Sequence, residues 1–206
     1  MGVTDPAYDG PYVIQPMTSP QPFLAYCYFS PWSGKTLALW RPTLGIPANC
    51  AISWSNRGWA DYAAGFGSAA SKNFFIGLKN LRLLTSQAKY TLTIFHFHTN
   101  HNKQARALYS DFSLSAATYD FTFTSFASDP AQPADDGMAA ASPRSFCASD
   151  RCVSGCYATR SAPGWFGPAP DCQGYSDLDL VMTWPITGED EACDEAVYTL
   201  ERVGGF

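Results

Sequence analysis

The feature that most constrains the fold of this chain is a cysteine-rich stretch almost free of branched aliphatic residues. Residues 127–176 contain four cysteines, six prolines, five glycines and five aspartates, but a single Leu, Ile or Val, which is Val153. Such a long stretch without a secondary-structure pattern is usually functional or disordered. Because cystines stabilise segments that lack a core of their own, the cysteines predict an ordered, disulfide-stapled loop region in an oxidising compartment.

A zinc site is the alternative for these cysteines, which are Cys147, Cys152, Cys156 and Cys172. Their gaps of four, three and fifteen residues lack the two-residue spacing of a zinc knuckle, which favours disulfides. The chain has seven cysteines in all, and because seven is odd, at least one thiol is free or pairs outside this chain.

Composition excludes several classes of protein. The 206 residues are 46% hydrophobic and 15% charged, which suffices for a sizeable core. With 13 Lys and Arg against 18 Asp and Glu, and no basic cluster, the chain lacks the charge that nucleic-acid binding requires. No apolar run approaches the roughly 18 to 20 residues of a membrane span, and residues 1–11 do not resemble a signal peptide. We therefore expect a soluble protein, either cytosolic or a processed form.

Short apolar runs bounded by prolines and glycines predict strands in the first quarter of the chain. Residues 12–14, 23–28 and 36–40 have the length of strands. We expect them to form a small antiparallel sheet.

The apolar period then changes to three and four residues, which predicts two short helices. The first contains Trp59 and Phe66, with Asn56 as its cap and Gly65 at its end. The second spans 77–85, where leucines share a face.

Further strands are predicted at 90–98, 109–114, 119–126, 178–184 and 197–200. Residues 90–98 are apolar on both faces, which is typical of a central strand. We expect these strands to form a second sheet.

The helical part carries a motif with a recognisable order and spacing. It runs Trp59-x-x-Tyr62-x-x-Gly65-Phe66-Gly67, then Asn73-Phe74-Phe75-Ile76-Gly77-Leu78, then Asn80-Leu81 and Leu84-Thr85. This motif resembles the signature of the fibrinogen C-terminal domain. Further similarity lies in 10–16, 22–27 and 107–113, and in Cys156 and Cys172, which the resemblance implies are disulfide-bonded.

The resemblance implies an α+β fold with a central twisted antiparallel sheet, a few short helices and a long disulfide-stapled C-terminal loop region. Within a single domain of residues 1–206, it places a small N-terminal sheet subdomain in 1–54, the central sheet and helices in 55–126 and 177–206, and the ligand loops in 127–176.

The family binds ligands rather than transforming them, which implies a non-enzymatic function. We expect a secreted or extracellular recognition domain, lectin-like or protein-binding, that serves in processes such as cell adhesion or innate immunity. Its partner would be a glycan or an extracellular protein, and the domain would belong to a larger chain or an oligomer. The alternative is a structural or assembly subunit that keeps the fold and has lost calcium and sugar binding.

Many family members carry calcium at a loop of the form Phe-Ser-Thr-x-Asp-x-Asp. The matching residues here are 146–152, where Asp150 takes the place of the first carboxylate, Cys152 replaces the second and Arg151 lies between them. Calcium takes six to eight oxygen ligands. The resemblance therefore implies a degraded calcium position at Asp150.

Lectin members of the family hold acetyl groups beside this loop, near a cis peptide bond that the resemblance places between Asp171 and Cys172. The pocket residues that it implies are Trp165, Phe166, Asp171, Cys172, Gln173 and Tyr175. Because this part of the chain departs from the family in length, a familiar sugar specificity does not follow. The alternative is that Trp165 and Phe166 pack beneath the loop.

The remaining cysteines depart from the family. Its first disulfide joins the position of Cys27 to a cysteine that would precede this sequence, so Cys27 has either a new partner or one outside the chain. We expect Cys147 or Cys152 to pair with Cys193, which would tie the long loop to the C-terminal segment.

Enzyme hypotheses find little support. His96, His98 and His101 form a His-x-His-x-x-His cluster that could ligate a metal, since alternate residues of a strand share a face. The resemblance places this strand in the core sheet, which favours a packed His96 instead. No carboxylate pair, serine elbow or phosphate loop stands out, and a disulfide is a simpler fate for Cys147 than a nucleophile.

Overall fold

The computed structural model describes residues 8–30, 33–42, 54, 56–98, 103–139, 145–160, 162–167, 169–170, 172, 182–186, 189–193 and 195–204. The helices are α1 (Trp59–Ala64), α2 (Leu78–Thr85) and α3 (Tyr157–Arg160). The strands are β1 (Gly10–Ile14), β2 (Phe23–Ser30), β3 (Ser33–Pro42), β4 (Phe66–Ser68), β5 (Asn73–Phe75), β6 (Tyr90–His98), β7 (Lys103–Ser110), β8 (Ser113–Leu114), β9 (Phe121–Thr122), β10 (Ser125–Ser128), β11 (Phe146–Cys147), β12 (Gly164–Trp165), β13 (Met182–Ile186), β14 (Glu189–Cys193) and β15 (Glu195–Arg202).

An antiparallel sheet of nine strands dominates the described ranges. Its order is β1-β2-β3-β15-β6-β7-β10, with β5 on β3 and β4 on β5. The C-terminal strand β15 lies between β3 and β6 and pairs with both. The predicted α+β class is confirmed. The N-terminal strands do not form a sheet of their own, because β15 supplies the hydrogen-bonding edge that joins them to β6.

Strand β6 occupies the interior of the sheet, as its two apolar faces predicted. It pairs with β15 on one edge and β7 on the other. Leu92, Thr93 and Ile94 are consecutive and all buried, so both faces of the strand are covered. His96 is also buried, at 1% exposure, which confirms that it packs in the core.

Helices α1 and α2 form where the apolar period of three and four predicted them, except that Phe66, predicted in the first helix, lies on β4 because the helix ends at Gly65. The α1 helix begins after Gly58, so Asn56 does not cap it. Its end at Gly65 is as expected, since the Gly65 N–H donates to the Asp61 carbonyl at 2.8 Å. In α2 the apolar face is buried through Leu78, Leu81, Leu83 and Leu84.

Two predicted strands are each broken in two. The expected strand at 109–114 is divided between β7 and β8 by Asp111, which takes a positive φ of 52°. The expected strand at 119–126 is likewise divided between β9 and β10. At the C-terminal end, β13 pairs with β14, and residues 178–181 lie outside the described part.

The main hydrophobic core joins the helices to the sheet. It includes Tyr62 of α1, Leu81 of α2 and Ile94 of β6, and Phe146 of β11 enters the same core. The loop region is therefore anchored to the sheet through Phe146. No helix in the ranges given above has the length and apolar character needed to cross a membrane. The division into subdomains stays a prediction.

Candidate functional site

Segment 145–152 forms a tight hairpin. Ala148 and Arg151 are hydrogen-bonded to each other in both directions, with N···O distances of 2.9 and 3.2 Å. This pairing leaves Ser149 and Asp150 as the two tip residues. Both tip residues are exposed, so the hairpin presents their side chains outward from its own backbone.

A cystine closes the hairpin. Beyond a doubly hydrogen-bonded pair, the next pair of an antiparallel ladder lies close together, and Cys147 and Cys152 occupy it with their Cα atoms 4.2 Å apart. These two cysteines form a disulfide with each other. The expected pairing of either with Cys193 is therefore wrong, because the hairpin itself brings the two sulfurs together.

The second cystine joins Cys156 to Cys172, as the family resemblance implied. With all four sulfurs bonded in pairs, the zinc alternative is excluded. Phe166 packs between these cystines at 1% exposure, in a small core separate from the main one. Arg160 covers this core, since its guanidinium lies 5.6 Å from the Phe166 ring centroid and its Nε donates to the Cys172 carbonyl at 3.0 Å.

Trp165 connects the loop region to the rest of the domain. It lies on β12, which pairs with β11. Its indole N–H donates to the Tyr119 carbonyl at 2.7 Å. Its ring meets Phe146 and Phe121 edge to face, with centroids 4.9 and 5.8 Å apart. The side chain is half-buried and makes contacts with the interior of the domain.

The structure places three of the six predicted pocket residues. Trp165 packs against main-core aromatics, Phe166 is buried among the cystines, and Cys172 is buried in its disulfide. These contacts agree with the alternative in which both aromatics pack beneath the loop. The remaining residues lie outside the described part, together with the predicted cis bond: Asp171, Gln173 and Tyr175.

The tip of the hairpin docks on the start of α1. The Asp150 Oδ1 atom accepts a hydrogen bond from the Trp59 backbone N–H at 2.7 Å. The Ser149 hydroxyl donates to the Arg57 carbonyl at 3.2 Å. Because the first N–H groups of a helix have no acceptor within the helix, Asp150 does the capping that sequence analysis assigned to Asn56.

Arg151 extends this contact into a stack. Its guanidinium lies 4.0 Å from the Trp59 ring centroid, and Trp59 stacks on Tyr119 at 5.4 Å. Arg151 also donates from Nη2 to the Ala117 carbonyl at 3.3 Å. The sequence gives no local sign of this stack, because Arg151 and Trp59 are far apart along the chain and meet only in the folded domain.

The start of the loop region is held to β7 by two aspartates. Asp129 accepts hydrogen bonds from the Ala131 N–H at 2.9 Å and from the Arg106 guanidinium at 3.0 Å, and these two donors lower the pKa of its carboxyl. Asp136 accepts a hydrogen bond from the buried Tyr109 hydroxyl at 3.1 Å. Both ties position the loop region relative to the sheet.

Comparison with known protein families identifies the fold. Residues 6–166, well over half of the chain, match the family described as fibrinogen beta and gamma chains, C-terminal globular domain. The chain belongs to this family. Among curated relatives, bovine fibrinogen-like protein 1 is 40% identical to this fibrinogen-like domain over 87 residues, which are 41% of this chain and 26% of the relative. Human microfibril-associated glycoprotein 4 is 35% identical over 107 residues, 52% of this chain and 39% of the relative.

Solved structures share the fold over nearly the whole chain. The fibrinogen-like globe domain of human ANGPTL2 superposes with a TM-score of 0.74 at 18% identity, covering 93% of this chain and 91% of that one. Lamprey fibrin D-dimer superposes with a TM-score of 0.72 at 18% identity, covering 96% of this chain and 70% of that one. The matches to the curated relatives thus span well under half of their length, whereas the ANGPTL2 globe domain is matched almost in full.

The calcium position implied by the family does not suit calcium in this fibrinogen-like domain. The one matching carboxylate, Asp150, already accepts the Trp59 N–H, and Cys152 is bonded to Cys147. Calcium requires six to eight oxygens. In the part of the chain that the structure describes, no group of three His, Cys, Asp or Glu residues could hold a metal ion.

The histidine cluster lies only partly within the described residues. His96 is buried on β6, the backbone of His98 ends the same strand, and His101 lies outside the described part, as does the side chain of His98. The hypothesis of a metal site there is therefore neither tested nor supported.

Proposed function

We propose that this fibrinogen-like domain is a non-enzymatic extracellular recognition domain that binds a protein partner through the outer surface of residues 127–176. The observation that carries the proposal is a cross-linked backbone with exposed side chains in the described part of this segment. Two cystines restrain that part, while Arg151 and Arg160 are exposed and Val153 is 71% exposed.

Rigidity and residue type both favour this function. A segment that is already ordered loses little conformational entropy on binding. Arginine is enriched in protein interfaces, and an exposed apolar side chain such as Val153 gains free energy when a partner covers it. The two cystines support an extracellular location, since disulfides persist in oxidising compartments.

A glycan is the competing partner for the same surface. An acetyl pocket needs aromatic walls that are open to the ligand, but Phe166 is 1% exposed and the indole N–H of Trp165 already donates to Tyr119. These contacts favour a protein over an acetylated sugar. The lamprey fibrin D-dimer, which shares the fold, is complexed with the peptide ligand Gly-His-Arg-Pro-amide, which supports peptide recognition by folds of this kind.

The proposal is tested by probing the oxidised domain in parallel against an array of extracellular proteins and a glycan array with acetylated sugars. We expect a protein hit that Val153→Asp weakens by about tenfold or more, since it places a charge in the contact. Val203→Asp is the matched control, because Val203 is 53% exposed on a distant part of the chain. Binding only to acetylated sugars, or equal loss in both variants, would overturn the proposal.

An assembly subunit is the second candidate, because Cys27 is a free thiol among the cysteines that the structure describes. Cys27 lies beside a cleft of about 340 Å³ lined by β1, Phe29 and Lys35. Because Cys27 is only 8% exposed, a partner chain would have to displace part of the wall of this cleft to reach the sulfur. Non-reducing electrophoresis of the wild type against Cys27→Ser tests the idea: a dimer lost in the variant would support assembly, and a monomer in both would reject it.

A further inference from the structure

We propose that hairpin 145–152 is a calcium-independent clamp on α1, in which the Cys147–Cys152 cystine closes the loop and Asp150 positions the helix rather than binding a metal. The proposal concerns how the recognition surface is held in place. It does not depend on which partner, if any, that surface binds.

The backbone of the hairpin is the first argument. A calcium loop wraps around its ion and turns backbone carbonyls towards it. Here the carbonyls of Ala148 and Arg151 accept hydrogen bonds from each other's N–H groups at 3.2 and 2.9 Å, within the turn itself. The cystine between Cys147 and Cys152 holds the two arms at a Cα separation of 4.2 Å. The cystine therefore closes the loop, and an ion would have to compete with the hydrogen bonds for these two carbonyl oxygens.

The surroundings of Asp150 are the second argument. One carboxylate oxygen accepts the Trp59 N–H, and the other lies so close to Gly58 that a Cβ added there would be 2.7 Å from it. Gly58 thus makes room for the carboxylate against the helix start. Both carboxylate oxygens of Asp150 are therefore directed at the start of α1, one as an acceptor and the other against the Cα of Gly58.

The neighbouring side chains are the third argument. The Ser149 hydroxyl donates to the Arg57 carbonyl, and the Arg151 guanidinium lies over Trp59. A cation at Asp150 would thus be next in sequence to a positive charge, which repels it. The two tip residues and the adjacent Arg151 instead contact the segment 57–59 at the start of α1.

The first test separates a helix cap from a metal ligand by two variants of one residue. Asn caps a helix about as well as Asp but removes the negative charge that strengthens calcium binding, whereas Ala supplies neither a cap nor a ligand oxygen. We expect backbone amide exchange at Trp59 to stay near the wild-type rate in Asp150→Asn and to rise about fivefold in Asp150→Ala. Exchange unchanged in Asp150→Ala, or raised equally in both variants, would overturn the clamp.

The second test measures calcium directly on the oxidised domain. We expect no binding heat and no change in Tm up to about 5 mM calcium, which exceeds the roughly 0.1 to 1 mM range of extracellular calcium modules. A saturable heat that Asp150→Asn abolishes would overturn the proposal. A heat that survives in Asp150→Asn would place calcium elsewhere and leave Asp150 as a cap.

The third test removes the cystine. Replacing Cys147 and Cys152 by serine should lower Tm by about 4 to 8 °C and speed amide exchange at Trp59, because the hairpin loses its closure. The matched control replaces Cys156 and Cys172, which should lower Tm without a selective effect at Trp59. An equal rise in the rate of amide exchange at Trp59 in both double variants would show that the hairpin cystine does not selectively hold the start of α1.

Discussion

Gly65 and Gly77 lie back to back where the end of α1 meets the start of α2. A Cβ on Gly65 would be 2.6 Å from the carbonyl carbon of Ile76, and one on Gly77 would be 2.6 Å from the Gly65 nitrogen. Both residues also have positive φ, at 89° and 97°. The two glycines of the sequence motif are therefore required by close backbone contact and by backbone conformation at once.

We expect Gly65→Ala and Gly77→Ala each to destabilise the domain by more than about 3 kcal/mol, since a positive φ and a steric clash add. Two other glycines distinguish the effect of the positive φ from that of the steric clash. Gly204 has a φ of 92° with open space around it, and Gly10 has open space and no positive φ. We expect Gly204→Ala to lower the free energy of unfolding by about 1 kcal/mol, and Gly10→Ala to change it by less than about 0.5 kcal/mol. Urea unfolding measures all four, and a Gly65→Ala cost no greater than that of Gly204→Ala would contradict the clash.

The contact between Gly58 and Asp150 predicts a coupled pair of mutations. Gly58 has φ −83° and ψ 174°, which alanine adopts without strain, so the cost of Gly58→Ala arises from pushing the Asp150 carboxylate away. We expect a loss of about 1 kcal/mol in the wild type, the value of a helix cap. In an Asp150→Ala background the same change should cost less, because only the poorer N-cap preference of alanine remains, and a double-mutant cycle by urea unfolding measures the difference. Additive effects would show that the two residues do not interact.

Replacing Trp165 by phenylalanine should destabilise the domain by about 1 to 3 kcal/mol, because the Tyr119 carbonyl loses its donor and the ring contacts shrink. Equilibrium unfolding of the oxidised protein measures this loss. A cost below about 0.5 kcal/mol, the usual size of a surface substitution, would indicate that the indole makes no structural contribution.

Asp129 predicts a dependence of stability on acid pH. The Ala131 N–H and then Arg106 lower the pKa of Asp129 below its ordinary 3.8. A pKa lowered by folding means that the ionised carboxylate stabilises the fold above the unfolded pKa of 3.8, and that this contribution is lost as the pH falls through the folded pKa. The stability deficit of Asp129→Asn should therefore shrink when unfolding is followed from neutral pH to below 3.8. A deficit that does not vary with pH would reject this role.

Cys27 should react slowly in the folded protein. Burial raises the pKa of its thiol, against a smaller opposite effect of a hydrogen bond with Thr36, and the residue is only 8% exposed. Since the thiolate is the reactive form, alkylation mapped to the Cys27 peptide should be much slower at pH 8 in native than in unfolded protein. The native rate should keep rising at higher pH than the rate of an unfolded peptide. Equal native and unfolded rates would mean that the thiol is open to solvent.

Much of the fold could be predicted from the sequence because its signals are local. The apolar period gave α1, α2 and the central position of β6, and the motif glycines marked the helix boundary now seen at Gly65. Family resemblance gave the Cys156–Cys172 cystine. The sequence did not predict that the strands expected at 109–114 and 119–126 are each divided in two. The positive φ of Asp111, which divides the first of them, leaves no sign in an alternating pattern of apolar residues.

The sequence by itself determined the family, through a motif of recognisable order and spacing, and it determined α1, α2 and the central strand β6, because their apolar periods act over a few neighbouring residues. Only the tertiary structure decided which distant groups meet. Asp150 caps a helix 91 residues away, and β15 joins strands that the sequence had assigned to two sheets. Hydrogen bonds between distant segments depend on where the whole chain places a donor and an acceptor, and no local pattern records that position.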